Sequence, residues 1–143
     1  MGTPLFARVS RRFTTSAERV FDAFLDLSTA RRFLYASPTG SIVRAALDPR
    51  VGGTYTIVDR RGDADVEHTG AFLEIDRPRR LVFTMFVPGY SRNPDRVTVE
   101  ILPVAGACEL TLTHEMEPDY APFVDATIQA YTDHLNALDA LLA

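Results

Sequence analysis

Between Leu5 and Phe13 the side chains alternate, with Leu5, Ala7, Val9 and Arg11 on one side and Phe6, Arg8, Ser10 and Arg12 on the other. A period of two marks a strand with one packed face and one wet face. After Thr14 the period lengthens. Val20, Phe21, Phe24, Leu25 and Leu27 mark one face of a helix of about 12 residues, preceded by Thr15-x-x-Glu18, which has the form of a capping box. Ser28 can cap a second short helix from Thr29 to Leu34 or Tyr35, which Ser37-Pro38-Thr39-Gly40 ends. From Ser41 the period returns to two. Strands are predicted over 42–47, 54–59, 66–75 and 81–87, around Val97, Val99 and Ile101, and over 108–114. Tyr55 and Ile57 share a face, as do Leu81, Phe83 and Met85. Most of the intervening turns are short, with a longer loop at 88–94, and short links predict an antiparallel meander.

The chain then closes on one long helix. Val124, Ile128, Tyr131, Leu135, Leu138 and Leu142 recur at spacings of four and three, which places them on a single stripe. Asp119 is an N-cap acceptor and Pro122 falls in the first turn, where its missing N–H does no harm. A helix of about 23 residues is roughly 35 Å long. A helix of this kind draws most of its stability from what it packs against. The expected fold is therefore α+β: a curved seven-stranded antiparallel sheet wrapped around the C-terminal helix, with two short helices between the first and second strands. Val124, Ile128, Tyr131, Leu135 and Leu138 should be buried against the sheet. If they faced a second subunit instead, the stripe would be a homodimer interface. No linker or repeat divides residues 1–143, so a single domain is expected.

Composition narrows the function. The chain has 143 residues, 46% hydrophobic and 24% charged, and is too apolar for a disordered chain. All 15 basic residues are arginine, so lysine chemistry is excluded. The arginines are dispersed and the net charge is −4, which argues against a nucleic-acid partner. No stretch approaches 18 consecutive apolar residues and no signal-peptide core is present, so no membrane is expected and the cytoplasm is the default location. Cys108, the single cysteine, reads as a small core residue.

Several stretches together resemble a known family. They are 18–24 (ERVFDAF), 48–55 (DPRVGGTY), 70–84 (GAFLEIDRPRRLVFT) and 110–115 (LTLTHE), followed by the closing helix. In order and spacing the chain resembles the START/polyketide-cyclase superfamily. Within it, the resemblance is to the branch of homologues of the activator of the 90-kDa heat-shock protein ATPase. That resemblance implies a helix-grip fold with a ligand site between sheet and long helix. It also keeps two other functions open, a cyclase or dehydratase and a chaperone-interaction domain. The chain departs from the family pattern in having no tryptophan. Phe33 and Tyr35 stand about where the first is usual, and Ala130-Tyr131 replaces a Gly-Trp pair.

The candidate site follows from the faces of the elements. Alternation puts His114 with Leu110 and Leu112 on the inner face, and the family motif carries a histidine there as well. It reads as a hydrogen-bonded core histidine, a polar contact for a ligand or an acid–base group. His134 lies one turn beyond Tyr131; the side taken by His68 depends on whether a bulge precedes Gly70. Phe33, Tyr35, Tyr55, Met85, His114, Tyr131 and His134 are the residues expected to line a cavity. Tyrosines in such a cleft combine an apolar body with a polar tip. The three histidines lie on separate elements without metal-ligand spacing, so no metal site is expected. No phosphate loop, G-x-G-x-x-G or G-x-S-x-G is present, and no cofactor is expected. The function predicted is binding of a small hydrophobic or aromatic molecule, and the interior decides between a closed core and a cavity of roughly several hundred cubic ångströms. The enzyme alternative would use His114 with Tyr55 or Tyr131.

Overall fold

The computed structural model describes residues 2–143. Seven strands form one antiparallel sheet in the order β1-β7-β6-β5-β4-β3-β2. They are β1 Leu5–Phe13, β2 Ser41–Leu47, β3 Thr54–Arg61, β4 Ala64–Asp76, β5 Arg80–Met85, β6 Asp95–Val104 and β7 Ala107–Met116. Strands β2 to β7 are a meander, and β1 joins it by pairing with β7, Ala7 opposite His114. The excursion between β1 and β2, the two edges of the sheet, carries helices α1 (Ala17–Leu25) and α2 (Leu27–Ala30). Helix α3, Val124–Leu142, closes the chain.

Strand β4, 13 residues long, pairs β3 with its first half and β5 with its second. Gly70 sits where the two halves meet. A Cβ there would land on the Thr84 carbonyl oxygen, so only glycine admits this approach of β4 and β5. Gly52, in the turn before β3, has φ of 84°, the positive value that a glycine supplies without strain.

All three helices differ from the sequence expectation at their ends. Ser16, not Thr15, caps α1, its hydroxyl accepting from the Arg19 N–H at 3.2 Å. Helix α1 runs 9 residues rather than 12, since Asp26 takes an extended conformation at its end. Asp26 also precedes α2, and its carboxylate accepts from the hydroxyls of Ser28 and Thr29 at 2.9 and 2.8 Å. The cap is thus two residues earlier than Ser28, and the helix ends at Ala30. The third difference is at α3. Residues Pro118–Phe123 form a 3-10 helix and only the 19 residues after it are α-helical. Pro122 removes a donor and disfavours the α region for Ala121, so the chain enters through a tighter turn.

The stripe on α3 holds in its C-terminal half. Tyr131, Leu135 and Leu138 are buried, whereas Val124, Ile128 and Leu142 are only half-buried. The expected burial of Val124 and Ile128 is corrected accordingly: the α-helix starts at Val124, so both lie in its first two turns, at the end entered through the 3-10 segment. Arg11 anchors the other end, donating to Asn136 at 2.7 Å and pairing with Asp139 at 2.9 Å. Beneath the helix, Phe13, Phe21, Phe24, Phe33, Leu81, Phe83, Leu110 and Leu112 are among the fully buried side chains of one continuous apolar core. Each such side chain contributes about 1.5–3 kcal/mol of transfer free energy. Cys108 is one of its smaller members.

Candidate functional site

Strand alternation brings a second, polar set of side chains to the same inner face. On β7, His114 follows Leu110 and Leu112 inward and is 2% exposed. It is opposite Val97 of β6, and Asp95 lies two residues before Val97, so it shares that face. The His114 Nε2 is 2.9 Å from Asp95 Oδ2, and its Nδ1 is 2.7 Å from the Tyr131 hydroxyl. The Tyr131 oxygen is 2.9 Å from the hydroxyl of Tyr35. These contacts form one chain, Asp95–His114–Tyr131–Tyr35. A carboxylate only accepts, so Nε2 carries the proton, and in the neutral imidazole Nδ1 is then the acceptor. Tyr131 therefore donates to His114, and Tyr35 donates to Tyr131.

Tyr35 lies in the turn after α2, in the left-handed region at φ of 58°, an uncommon conformation for a bulky residue. Its ring fills the centre of the polar cluster. It stacks on His68 with centroids 4.5 Å apart and planes within 3°, and meets His134 edge-on at 5.7 Å. Tyr55 lies 6.3 Å from it and touches Phe72 and Phe83 on its other side. The Tyr55 hydroxyl donates to the Thr84 carbonyl at 2.8 Å, the same carbonyl that Gly70 admits.

Beyond Tyr35 the polar groups are incompletely matched. Asp59, fully buried, accepts from Arg61 Nε at 2.7 Å and from the Ser37 N–H at 3.2 Å through one oxygen. Its other oxygen, the Ser37 hydroxyl and the Nδ1 atoms of His68 and His134 have no hydrogen-bond partner among the described residues. Burial disfavours the charged imidazolium and, with the charge of Arg61, brings His68 down to about 4. His134 falls to about 4 mainly through burial, with Asp133 opposing and Arg61 assisting. Burial also raises Tyr35, Tyr55 and Tyr131, which stay neutral phenols able to donate.

Of the seven residues expected to line a cavity, five come together: Tyr35, Tyr55, His114, Tyr131 and His134. Phe33 does not join them; it packs edge-on against Phe24 at 5.1 Å in the apolar core. Met85 ends β5 half-buried at the margin of that core. Sequence reasoning missed Asp95, Asp59 and the inward orientation of His68. Extending the alternation of Val99 and Val97 back by two would have reached Asp95, and Asp59 follows Tyr55 and Ile57 in the same way. For His68 the doubt was a bulge. The register is regular there, with Ile57 opposite His68 and Tyr55 opposite Gly70, and the irregularity falls later, between Phe72 and Glu74.

The polar cluster is closed, its side chains buried and stacked on one another. The void beside Phe24, Tyr55, Phe72, Leu81 and Phe83 is about 10 Å³, room for a single water at most. The physical reason for the closed cluster is Tyr35, whose ring occupies the space between His68, Tyr131 and His134. A larger depression of about 420 Å³ is elsewhere, an open polar groove lined by Arg19, Asp22, Asp26, Arg32 and Leu142. Among the described residues no group of three His, Cys, Asp or Glu side chains is placed to hold a metal ion. No described helix is long and apolar enough to cross a membrane.

Residues 14–143 match the family model described as activator of Hsp90 ATPase homolog 1-like protein. No curated protein matches the chain in sequence. Solved structures share its fold. A protein from Chromobacterium violaceum, 23% identical, superposes with a TM-score of 0.85 over 95% of each chain. One from Rhizobium loti, 24% identical, gives 0.79 over 96% of each. One from Mycobacterium smegmatis, 16% identical, gives 0.83 over 97% of this chain and 91% of the other. At these identities the likeness is one of fold.

Proposed function

The chain belongs to the family of activator of Hsp90 ATPase homolog 1-like proteins, and from that premise we propose that it binds a small aromatic molecule between the sheet and α3. The observation that carries this reading is the polarity of the buried cluster. A core built for stability alone gains little from burying three histidines and three tyrosines together. Each buried group left without a partner costs about 1–3 kcal/mol, and two of the imidazoles have such a nitrogen. A ligand with an aromatic body and polar substituents would match these groups. Binding should stabilise the fold by about 2.7 kcal/mol at a hundredfold excess over the dissociation constant. The test is a thermal-shift screen of aromatic metabolites, with Tyr131→Phe and His114→Ala as controls. If no compound raises the midpoint of wild type, or of a variant opened at Tyr35, this reading is lost.

A second reading is favoured by the chain of hydrogen bonds ending at Asp95. A hydroxyl backed by an imidazole, itself oriented by a carboxylate, is the arrangement of general acid–base catalysis. In this reading the Tyr131 oxygen takes a proton from the carbon beside a bound carbonyl while its own proton passes to His114 Nδ1, Asp95 stabilises the imidazolium, and the reverse transfer returns the proton to the product. Incubating compounds that bind with the protein and looking for products by mass spectrometry separates the two. Turnover that Tyr131→Phe abolishes without loss of binding would favour the enzyme.

A further inference from the structure

The surroundings of Tyr35 describe a ligand. Its ring lies flat on His68, 4.5 Å away and within 3° of parallel, with His134 edge-on at 5.7 Å and Tyr131 at 6.0 Å. Its hydroxyl reaches the Tyr131 oxygen at 2.9 Å. This is a stacking surface, two walls and one polar contact at the distance a phenol requires. The direction of that contact is set from the far end of the cluster. With His114 neutral, Asp95 accepts from its Nε2–H, its Nδ1 accepts from Tyr131, and the Tyr131 oxygen is left to accept. Whatever occupies the place of Tyr35 must donate a hydrogen bond.

The residue that fills this place is weakly held by its own backbone. Tyr35 is outside any regular element and sits at φ of 58°. No backbone hydrogen bond of its own ties it down among the described residues. A β-carbon is disfavoured in that region, so relaxation of the turn and departure of the ring go together.

We propose that Tyr35 is a built-in stand-in for the ligand, and that the protein binds phenolic molecules whose hydroxyl replaces the Tyr35 hydroxyl on Tyr131. The inference rests on the interior-binding reading above and adds the chemical class of the ligand. The Nδ1 atoms of His68 and His134, both without partners, lie in the rings that flank the phenol and can receive further polar substituents. An ether or a ketone offers no proton to Tyr131 and is discriminated against.

The test is isothermal titration of wild type, Tyr131→Phe and Tyr35→Gly with 4-ethylphenol, 4-ethylanisole and ethylbenzene. Glycine is the chosen replacement because it removes the ring and accepts the positive φ, so the turn keeps its course. Wild type should bind 4-ethylphenol at least about tenfold more tightly than the other two, the worth of one buried hydrogen bond. Tyr131→Phe should erase that preference, and Tyr35→Gly should bind 4-ethylphenol more tightly than wild type because its competitor is gone. Equal binding of all three compounds by wild type overturns the phenol assignment and leaves interior binding standing. Binding of 4-ethylphenol by a folded Tyr35→Gly but not by wild type makes Tyr35 a permanent core residue and also overturns it. Absence of binding by both proteins removes the interior-binding reading as well. Should Tyr35→Gly not fold, the comparison of the three compounds on wild type decides alone.

Discussion

The interior contains two regions built on different physics, and Tyr55 touches both. On one side of it, Phe24, Phe72, Leu81 and Phe83 surround a void of about 10 Å³, and the packing there is set by shape alone. On the other, Tyr35, His68, His114, Tyr131 and His134 are buried too, but their positions depend on hydrogen bonds, ring stacking and one strained turn. The first region holds the sheet together. The second subtracts from stability wherever a polar atom lacks a partner. A domain of this size has only about 5–15 kcal/mol to spare, so the contrast assigns stability to one side and leaves the other for the binding proposed above.

Acid should separate the two regions most strongly. His68 and His134 are both brought down to about 4 when folded, against about 6.5 in the unfolded chain. The unfolded chain thus binds more protons in between, and stability falls as the pH drops from about 6.5 to 4. The shift corresponds to roughly 3 kcal/mol for each ring. Urea melts from pH 7.5 to 4 should show this loss, and His68→Phe with His134→Phe should flatten the profile. A flat profile in wild type would mean that neither ring is buried. Below about pH 4 a further loss follows from Asp22, Asp26 and Asp65, which hydrogen bonds from Arg77, Thr29 and Arg60 hold below the usual carboxylate range.

Next in size is Leu81→Ala in the apolar region, which should lose about 2–5 kcal/mol at every pH tested, because no titrating group is involved. Denaturant midpoints at pH 7.5 and 5 should shift alike; a pH-dependent shift would show that the regions are coupled. Tyr131→Phe should be smaller, about 1–3 kcal/mol, since it strips a partner from both His114 and Tyr35 while keeping the ring. Its mark is chemical: the His114 imidazole resonances should move, which no Leu81 variant should cause. Asp22→Asn is the smallest, at about 0–1 kcal/mol. It breaks the exposed bidentate pair with Arg77, whose contacts are 2.7 and 2.8 Å, and should leave both regions as they are.

What could be read from the chain alone was whatever depends on periodicity and local chemistry. The alternation of Leu5 to Phe13, the glycines at 52 and 70 and the stripe of Tyr131, Leu135 and Leu138 each specify an element and its buried face. Short links between strands then leave one economical arrangement, the meander that the structure has. Family resemblance was legible for the same reason, as motifs in a fixed order. The site was legible only by face: alternation says that His114 points inward but not what it meets. The pairing of β6 with β7 brings Asp95 to His114, and the packing of α3 brings Tyr131 to the other nitrogen, over separations of 19 and 17 residues. The placing of Tyr35 needed more still. A left-handed residue in an irregular turn obeys no period, so neither the closed interior nor the ring that closes it could be inferred before the turn after α2 was seen against β4 and α3. Local propensity acts along the chain, whereas the burial, hydrogen bonding and stacking of these groups come from contacts across it, and those exist only once the sheet has curved around the helix.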